Sequence, residues 1–314
     1  MKQLRIGHLS TAYHTAFVLM GGEWVENRMN VDVSWRIFGT GPEMIKAFIR
    51  GELDIAYIGL PPTMIGISKG LAVKCVAGGH VEGTILTATS DFIPLNEVGT
   101  VSGVLRQFKG KAIGTPTKGS IHDVIIRRLV SQAGLQGDVE IKNFPWTDFV
   151  LEAMEEKTVH GGCGTPQLAI LCAIFLKARM ILPPEVMWPY NPSYGIVATS
   201  ETIRNSSKML EDFLLLHEEA SNLIREKPEE AARMASKAIG IVSKDFLLEV
   251  FKVSPKYCAS LPEEYVKSTL SFVPVLKEMG YISKPLSKSD VFQTEIIDRI
   301  HKEKPHYSDP GTLR

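Results

Sequence analysis

FGTGPEMIKAFIRGELDIAYIGLPPTMIGISKGLAVKCVAG, residues 38–78, reads as helix, strand, helix and strand, with a break before each helix. Gly39-Thr40-Gly41-Pro42 interrupts the chain. From Glu43 to Arg50 the apolar residues Met44, Ile45, Phe48 and Ile49 recur at helical spacing. Leu53 to Ile58 is short and apolar, as a buried strand is. Gly59-Leu60-Pro61-Pro62 breaks the chain again, with Pro62 placed to start the next helix. Val73 to Ala77 then reads as a strand. Strands separated by single helices imply right-handed βαβ units and a mainly parallel sheet. Such sheets bind ligands beyond the carboxyl ends of their strands, and both breaks lie at such ends.

The pattern continues in both directions. On the N-terminal side, Leu4–Leu9 reads as a strand, Ser10-Thr11-Ala12-Tyr13-His14 as a loop, Ala16–Glu26 as one helix and Val31–Phe38 as a strand. On the other side Ile85–Ala88 is a fifth strand, and the pattern weakens over Asp91–Val104. A second series follows. Its strands are predicted at Ala112–Pro116, Val139–Phe144, Val159–Cys163 and the short run Met180–Leu182, its helices at Ser120–Gly134, Asp148–Glu156 and Gln167–Leu176. After a Pro-rich passage, Tyr194–Thr199 resumes as a strand. From Ser207 onward the chain reads as nearly all helix, and the polar tail Lys302–Arg314 is expected to be loose.

The 314 residues point to about two domains. With 35 basic and 35 acidic side chains there is no long-range field to gather nucleic acid or an anionic membrane, so charge selectivity must be local to a site. No apolar run reaches the ~18 residues of a membrane span. The cysteines Cys75, Cys163, Cys172 and Cys258 form no CxxC pair, which points away from a zinc or redox motif and toward a reducing compartment. No phosphate loop, dinucleotide fingerprint or HExxH motif occurs. Met1-Lys2-Gln3-Leu4-Arg5-Ile6 runs directly into the first strand. The expected location is extracytoplasmic if a leader was removed and cytoplasmic if the sequence is complete.

Four stretches carry a family resemblance: IGHLSTAYHTAFVLMGGEW (6–24), the 38–78 stretch, FKGKAIGTPTKGSIHDVIIRRLVSQAGL (108–135) and KPEEAARMASKAIGI (227–241). In this order they resemble the substrate-binding proteins of nitrate/sulfonate/taurine-type ABC transporters, a superfamily shared with the thiamine-pyrimidine synthase group. The resemblance covers residues 4–290. It implies a type II periplasmic-binding-protein-like α/β fold, with two lobes of mainly parallel sheet, two crossing strands and a ligand cleft between the lobes. Lobe one is then expected at 1–90 plus 194–314 and lobe two at 91–193. Lys118-Gly119-Ser120-Ile121-His122 resembles the sulfonate-binder version of the second-lobe loop. The segment Gly162-Cys163-Gly164-Thr165-Pro166-Gln167 departs from the family, because it lacks the acidic residue usual beside that proline.

The candidate contacts follow from the strand ends. Thr40-Gly41 and Gly119-Ser120 precede helices, whose first N–H groups bind oxyanions. Alternatively the glycines only turn the chain and Ser120 is an N-cap. Ser10, Thr11 and His14 follow the first strand, and Gly59, Pro61 and Pro62 follow the third. His14 and His122 would tighten anion binding at lower pH if they line the site; a helix-surface role is the alternative. Trp146 and Tyr190 either cover the ligand or pack. Cys163 and Thr165 sit at a strand end, Cys163 as a small lining side chain rather than a nucleophile. Cys172 is expected in the core. No catalytic residue, metal or cofactor is assigned.

The expected function is a solute-binding protein that captures a small anion, sulfonate-, nitrate- or carboxylate-like, for an ABC permease. A cytoplasmic enzyme on the same scaffold, related to the synthase group, is the alternative; a cytoplasmic ligand sensor is a third reading.

Overall fold

The computed structural model describes residues 3–313. Its strands are β1 (Gln3–Leu9), β2 (Asp32–Phe38), β3 (Ile55–Ile58), β4 (Val73–Val81), β5 (Ile85–Ala88), β6 (Ala112–Pro116), β7 (Glu140–Phe144), β8 (Gly161–Gly164), β9 (Arg179–Leu182) and β10 (Pro192–Thr199). The chain parts into two compact units. One takes in the chain up to Val81 and again from Asn191; the other runs Glu82–Tyr190.

The first unit is built on a five-stranded sheet of order β2-β1-β3-β10-β4. β1 pairs in parallel with β2 over its whole length, from Gln3 opposite Asp32 to Leu9 opposite Phe38, and in parallel with β3. β10 pairs antiparallel with both β3 and β4, so four strands run one way and one against them. Arg5 holds the β1–β3 pairing at its start. Its guanidinium donates to both carboxylate oxygens of Asp54, at 3.0 and 2.7 Å.

The second unit repeats this plan in the order β7-β6-β8-β5-β9. β6 is parallel to β7 and β8, and β5 runs antiparallel to β8 and β9. β5, which the sequence reading attached to the first strand series, therefore pairs in the second sheet. β4 extends four residues past its expected end, and the chain turns at Glu82 in a left-handed conformation (φ 61). Cys172 lies in this unit's core with Val150, Met154 and Leu168.

Helices form where apolar spacing and breaks agree. In the helix Gly41–Ile49 the residues Met44, Ile45, Ala47 and Phe48 are buried, Pro42 sits in the first turn, and Gly51 (φ 69) turns the chain just beyond. The helix Ser207–Glu226 buries Leu210, Phe213, Leu214, His217, Ala220 and Ile224 along one face.

Two expectations fail here. The tail is not loose. The Tyr307 side chain is buried and donates to the Cys258 and Ser260 carbonyls at 2.7 and 2.9 Å, and Thr312 N–H donates to Arg225 O at 2.8 Å. Charge and polarity in the sequence hid these backbone acceptors. The single helix expected over Ala16–Glu26 is two, Ala16–Gly22 and Trp24–Met29, joined at Glu23 (φ 53). Successive glycines weaken helix propagation. Gly21 also lets the chain meet the helix Pro228–Ile239, since a Cβ there would overlap the Met234 carbonyl. Gly21→Ala is accordingly expected to cost about 3 kcal/mol, the upper end for overpacking, because backbone cannot step aside. Urea unfolding checks this; an unchanged midpoint would mean the two helices can part freely.

Candidate functional site

In the first unit the site is read from the carboxyl ends of β1, β2 and β3. Leu9 and Phe38 are the last paired positions of β1 and β2, and Thr11 and Thr40 each lie two residues further on. Both threonines are buried, 5% and 3% exposed. Among the described residues neither hydroxyl has a hydrogen-bond partner. Thr40 is extended (φ −148, ψ 160) and stands at the start of the helix Gly41–Ile49, which no side chain caps. The first-turn N–H groups of a helix lack intrahelical acceptors and carry partial positive charge. Gly41 lets the end of β3 close in, because a Cβ there would lie 2.7 Å from Pro62 Cγ. Gly59 precedes the helix Leu60–Ser68, with Pro61 and Pro62 buried in its first turn. Thr63 donates back to Gly59 O at 3.0 Å and so serves that helix start. Ser10 is half-buried at the end of β1.

His14 is buried, not on a helix surface. Its ring lies 4.1 Å from Tyr194 and 4.9 Å from Tyr13. It belongs to a polar aromatic cluster that the sequence reading did not foresee. The Tyr13 and Ser193 hydroxyls are 2.7 Å apart. Thr15 N–H donates to the Tyr194 hydroxyl, and the two hydroxyls lie 3.2 Å apart. The cluster continues to His217, whose Nε2 donates to Gly78 O at 3.0 Å. That tautomer leaves Nδ1 to accept from Thr15 Oγ1, also at 3.0 Å. His80 Nε2 donates to Ser254 O at 2.6 Å. Burial pushes His217 down to about 4 and His80 to about 3, so both rings are neutral. His217 was legible in principle, because it falls on the apolar stripe of its helix. Tyr13 and Thr15 carried no periodic signal.

In the second unit most of the expected contacts are taken up by the unit's own structure. Ser120 is the N-cap of the helix Ile121–Gln132, its hydroxyl accepting from Asp123 N–H at 3.3 Å. Gly119, left-handed at φ 82, gives its N–H to Asp123 Oδ2 at 2.9 Å. Ser120 and Gly119 thus form the cap and the turn of this loop. His122 is buried with Nδ1 2.9 Å from Thr84 Oγ1, and burial pushes it down to about 4. The acid-strengthened binding expected of it falls outside the neutral range. Cys163 is fully buried, its thiol donating to His122 O at 3.7 Å, and burial raises its pKa. A thiol held protonated is a poor nucleophile. Thr165 caps the helix Pro166–Leu176 by accepting from Leu168 N–H. Tyr190, left-handed at φ 59, donates its N–H to Glu82 Oε1 at 2.8 Å. Lys118 is exposed and Trp146 half-buried.

The description NMT1-like family matches residues 1–240 of the chain. No curated protein matches. Three solved structures are similar. The alkanesulfonate-binding protein SsuA of Xanthomonas axonopodis pv. citri, bound to MOPS, aligns with a TM-score of 0.79 at 15% identity, over 93% of this chain and 98% of that one. The periplasmic nitrate-binding protein NrtA of Synechocystis PCC 6803 aligns at 0.77 and 11%, over 99% and 92%. The periplasmic aliphatic sulphonate binding protein SsuA of Escherichia coli aligns at 0.76 and 17%, over 94% and 93%. At these identities the likeness is one of fold. Among the described residues no helix is long and apolar enough to cross a membrane.

Proposed function

Because the chain belongs to the NMT1-like family, we propose that it is a solute-binding protein. It takes a small oxyanion, of the sulfonate, nitrate or carboxylate kind, and delivers it to an ABC permease on the extracytoplasmic side. The observation that carries this reading is the pair of buried, unpartnered hydroxyls of Thr11 and Thr40 on adjacent strand ends, beside an uncapped helix start. A buried hydroxyl without a partner costs ~1–3 kcal/mol. An anion seated there accepts from both hydroxyls and faces the positive end of the helix Gly41–Ile49. Ser10, His14, Gly41, Gly59, Pro61 and Pro62 complete the proposed contacts of the first unit. The proteins of like fold are named for sulfonate and nitrate, which supports the anion class.

Calorimetric titration with taurine, longer alkanesulfonates, nitrate and simple carboxylates tests the reading. Hydrogen bonds to a charged group contribute ~1.5–3 kcal/mol. Thr11→Val and Thr40→Val are therefore each expected to weaken binding about 10-fold or more. The same substitutions leave the ligand-free melting temperature unchanged or slightly higher, since they remove an unpartnered polar group. Melting temperatures that fall while affinity holds would make the threonines structural. A ligand recovered chemically altered would move the protein to the enzymes.

A further inference from the structure

Four side chains from three separate stretches of the first unit converge. Glu218 lies on the helix Ser207–Glu226, Cys258 on the loop after Ser254, and His301 and His306 in the C-terminal tail. One ligand atom from each lies within 4.8 Å of all the others. Cys258 Sγ is 3.3 Å from His301 Nε2 and 3.8 Å from His306 Nδ1. Glu218 Oε1 is 3.3 Å from His306 Nδ1 and 3.5 Å from His301 Nε2.

We propose that Glu218, Cys258, His301 and His306 form a four-coordinate site for a divalent transition metal, zinc by preference, that fastens the C-terminal tail to the first unit.

The carboxylate–imidazole distances suit a shared ion better than direct hydrogen bonds. Charge-assisted bonds between a carboxylate and imidazolium are about 2.7–2.9 Å long, and these pairs stand wider. Ligands around tetrahedral zinc, with Zn–S about 2.3 Å and Zn–N or Zn–O about 2.0–2.2 Å, sit about 3.3–3.6 Å apart. The donor set of one thiolate, two imidazoles and one carboxylate suits a borderline-soft ion. His301-Lys302-Glu303-Lys304-Pro305-His306 has the H-x4-H spacing of structural zinc sites.

The surroundings orient the ligands. Glu218 Oε2 accepts from Ala259 N–H at 2.6 Å, leaving Oε1 toward the site. Glu303 Oε2 lies 3.4 Å from His306 Nε2, within reach of the carboxylate–histidine pairing that orients a ligating ring. A cavity of about 280 Å³ walled in part by Glu218, His301 and Glu303 provides an entry path. Binding releases the thiol proton of Cys258 to solvent and forms the metal–sulfur bond. The site is independent of the solute-binding reading.

The test is titration of the reduced, chelator-stripped full-length protein with Co(II), followed by displacement with Zn(II). One equivalent of Co(II) is expected, with the intense visible bands of four-coordinate cobalt and a sulfur-to-cobalt charge-transfer band. Cys258→Ser is expected to lose the charge-transfer band, and His306→Ala to weaken Co(II) binding about 100-fold. The exposed Glu303→Gln, which keeps the ligands, is expected to weaken it about 10-fold. A pale six-coordinate spectrum, absence of stoichiometric binding, or a charge-transfer band that survives in Cys258→Ser overturns the proposal. The wild-type spectrum alone decides if a variant fails to fold.

Discussion

Lowering the pH from 6.5 toward 4 is expected to remove on the order of 4 kcal/mol of stability per pH unit. Three buried histidines cause most of it, and His8, which burial also lowers, adds to it. Burial pushes His122 and His217 down to about 4 and His80 to about 3. In the unfolded chain each takes up its proton near the ordinary value of 6.5. Between the two values the unfolded state holds more protons, so stability falls as pH falls and is fully present above about 6.5. Each ring contributes about 1.4 kcal/mol per pH unit, and three contribute about 4. His301 and His306 have raised values, so they oppose the slope near pH 6.5, where the unfolded chain is still taking up their protons, and add none below about pH 5.5. Carboxylates held low by a basic partner, such as Glu52 bonded to Arg50, lose their contribution only at the acid end.

A domain's whole stability is about 5–15 kcal/mol, so unfolding is expected before pH 4. Urea midpoints at pH 7, 6 and 5 measure the slope. His217→Gln is expected to flatten it by about a third. A flat profile between pH 7 and 5 would mean that water reaches these rings.

The strand–helix series was legible because apolar spacing and Gly/Pro breaks agree along it. Residues 38–78 fold as they read, with the helix Gly41–Ile49 and strands β3 and β4 in place. What sequence did not disclose is pairing across distance. β5 lies close in sequence to β4 yet pairs with β8 and β9, a choice made by backbone partners that leave no mark on Ile85–Ala88 itself. The candidate site divides the same way. The places of Thr11 and Thr40 just past β1 and β2 were legible because strand ends are predictable. The cap that Ser120 forms was not singled out, because an N-cap serine and an anion-binding serine have the same sequence signature. The C-terminal cluster was missed for a related reason. Cys258 lacks a second cysteine nearby, and its partners Glu218, His301 and His306 come from distant segments.

Asp123 gives the second large effect, and it bears on that ambiguous loop. Its carboxylate is fully buried. Oδ1 accepts from Arg127 Nε at 2.7 Å and Asn143 Nδ2 at 2.8 Å; Oδ2 accepts from Gly119 N–H at 2.9 Å. One side chain thus ties the loop after β6 to the following helix and to β7. Asp123→Ala is expected to cost about 3 kcal/mol, because it leaves the Gly119 N–H and the Arg127 Nε without their acceptor, while Asn143 Nδ2 keeps Pro116 O at 2.7 Å. The loss is read from urea unfolding. Hydrogen exchange at Gly119 N–H should accelerate with it, since that amide loses its acceptor.

Arg127 is a third exposed, so water meets part of its need. If stranding dominates the loss, Asp123→Ala with Arg127→Ala costs less than the sum of the two single changes, by about 1 kcal/mol or more. If the two losses simply add, Arg127 is bystander to the carboxylate. Asp123 then acts through Gly119 and Asn143 alone, holding Lys118 and Ser120 in place by backbone rather than by charge.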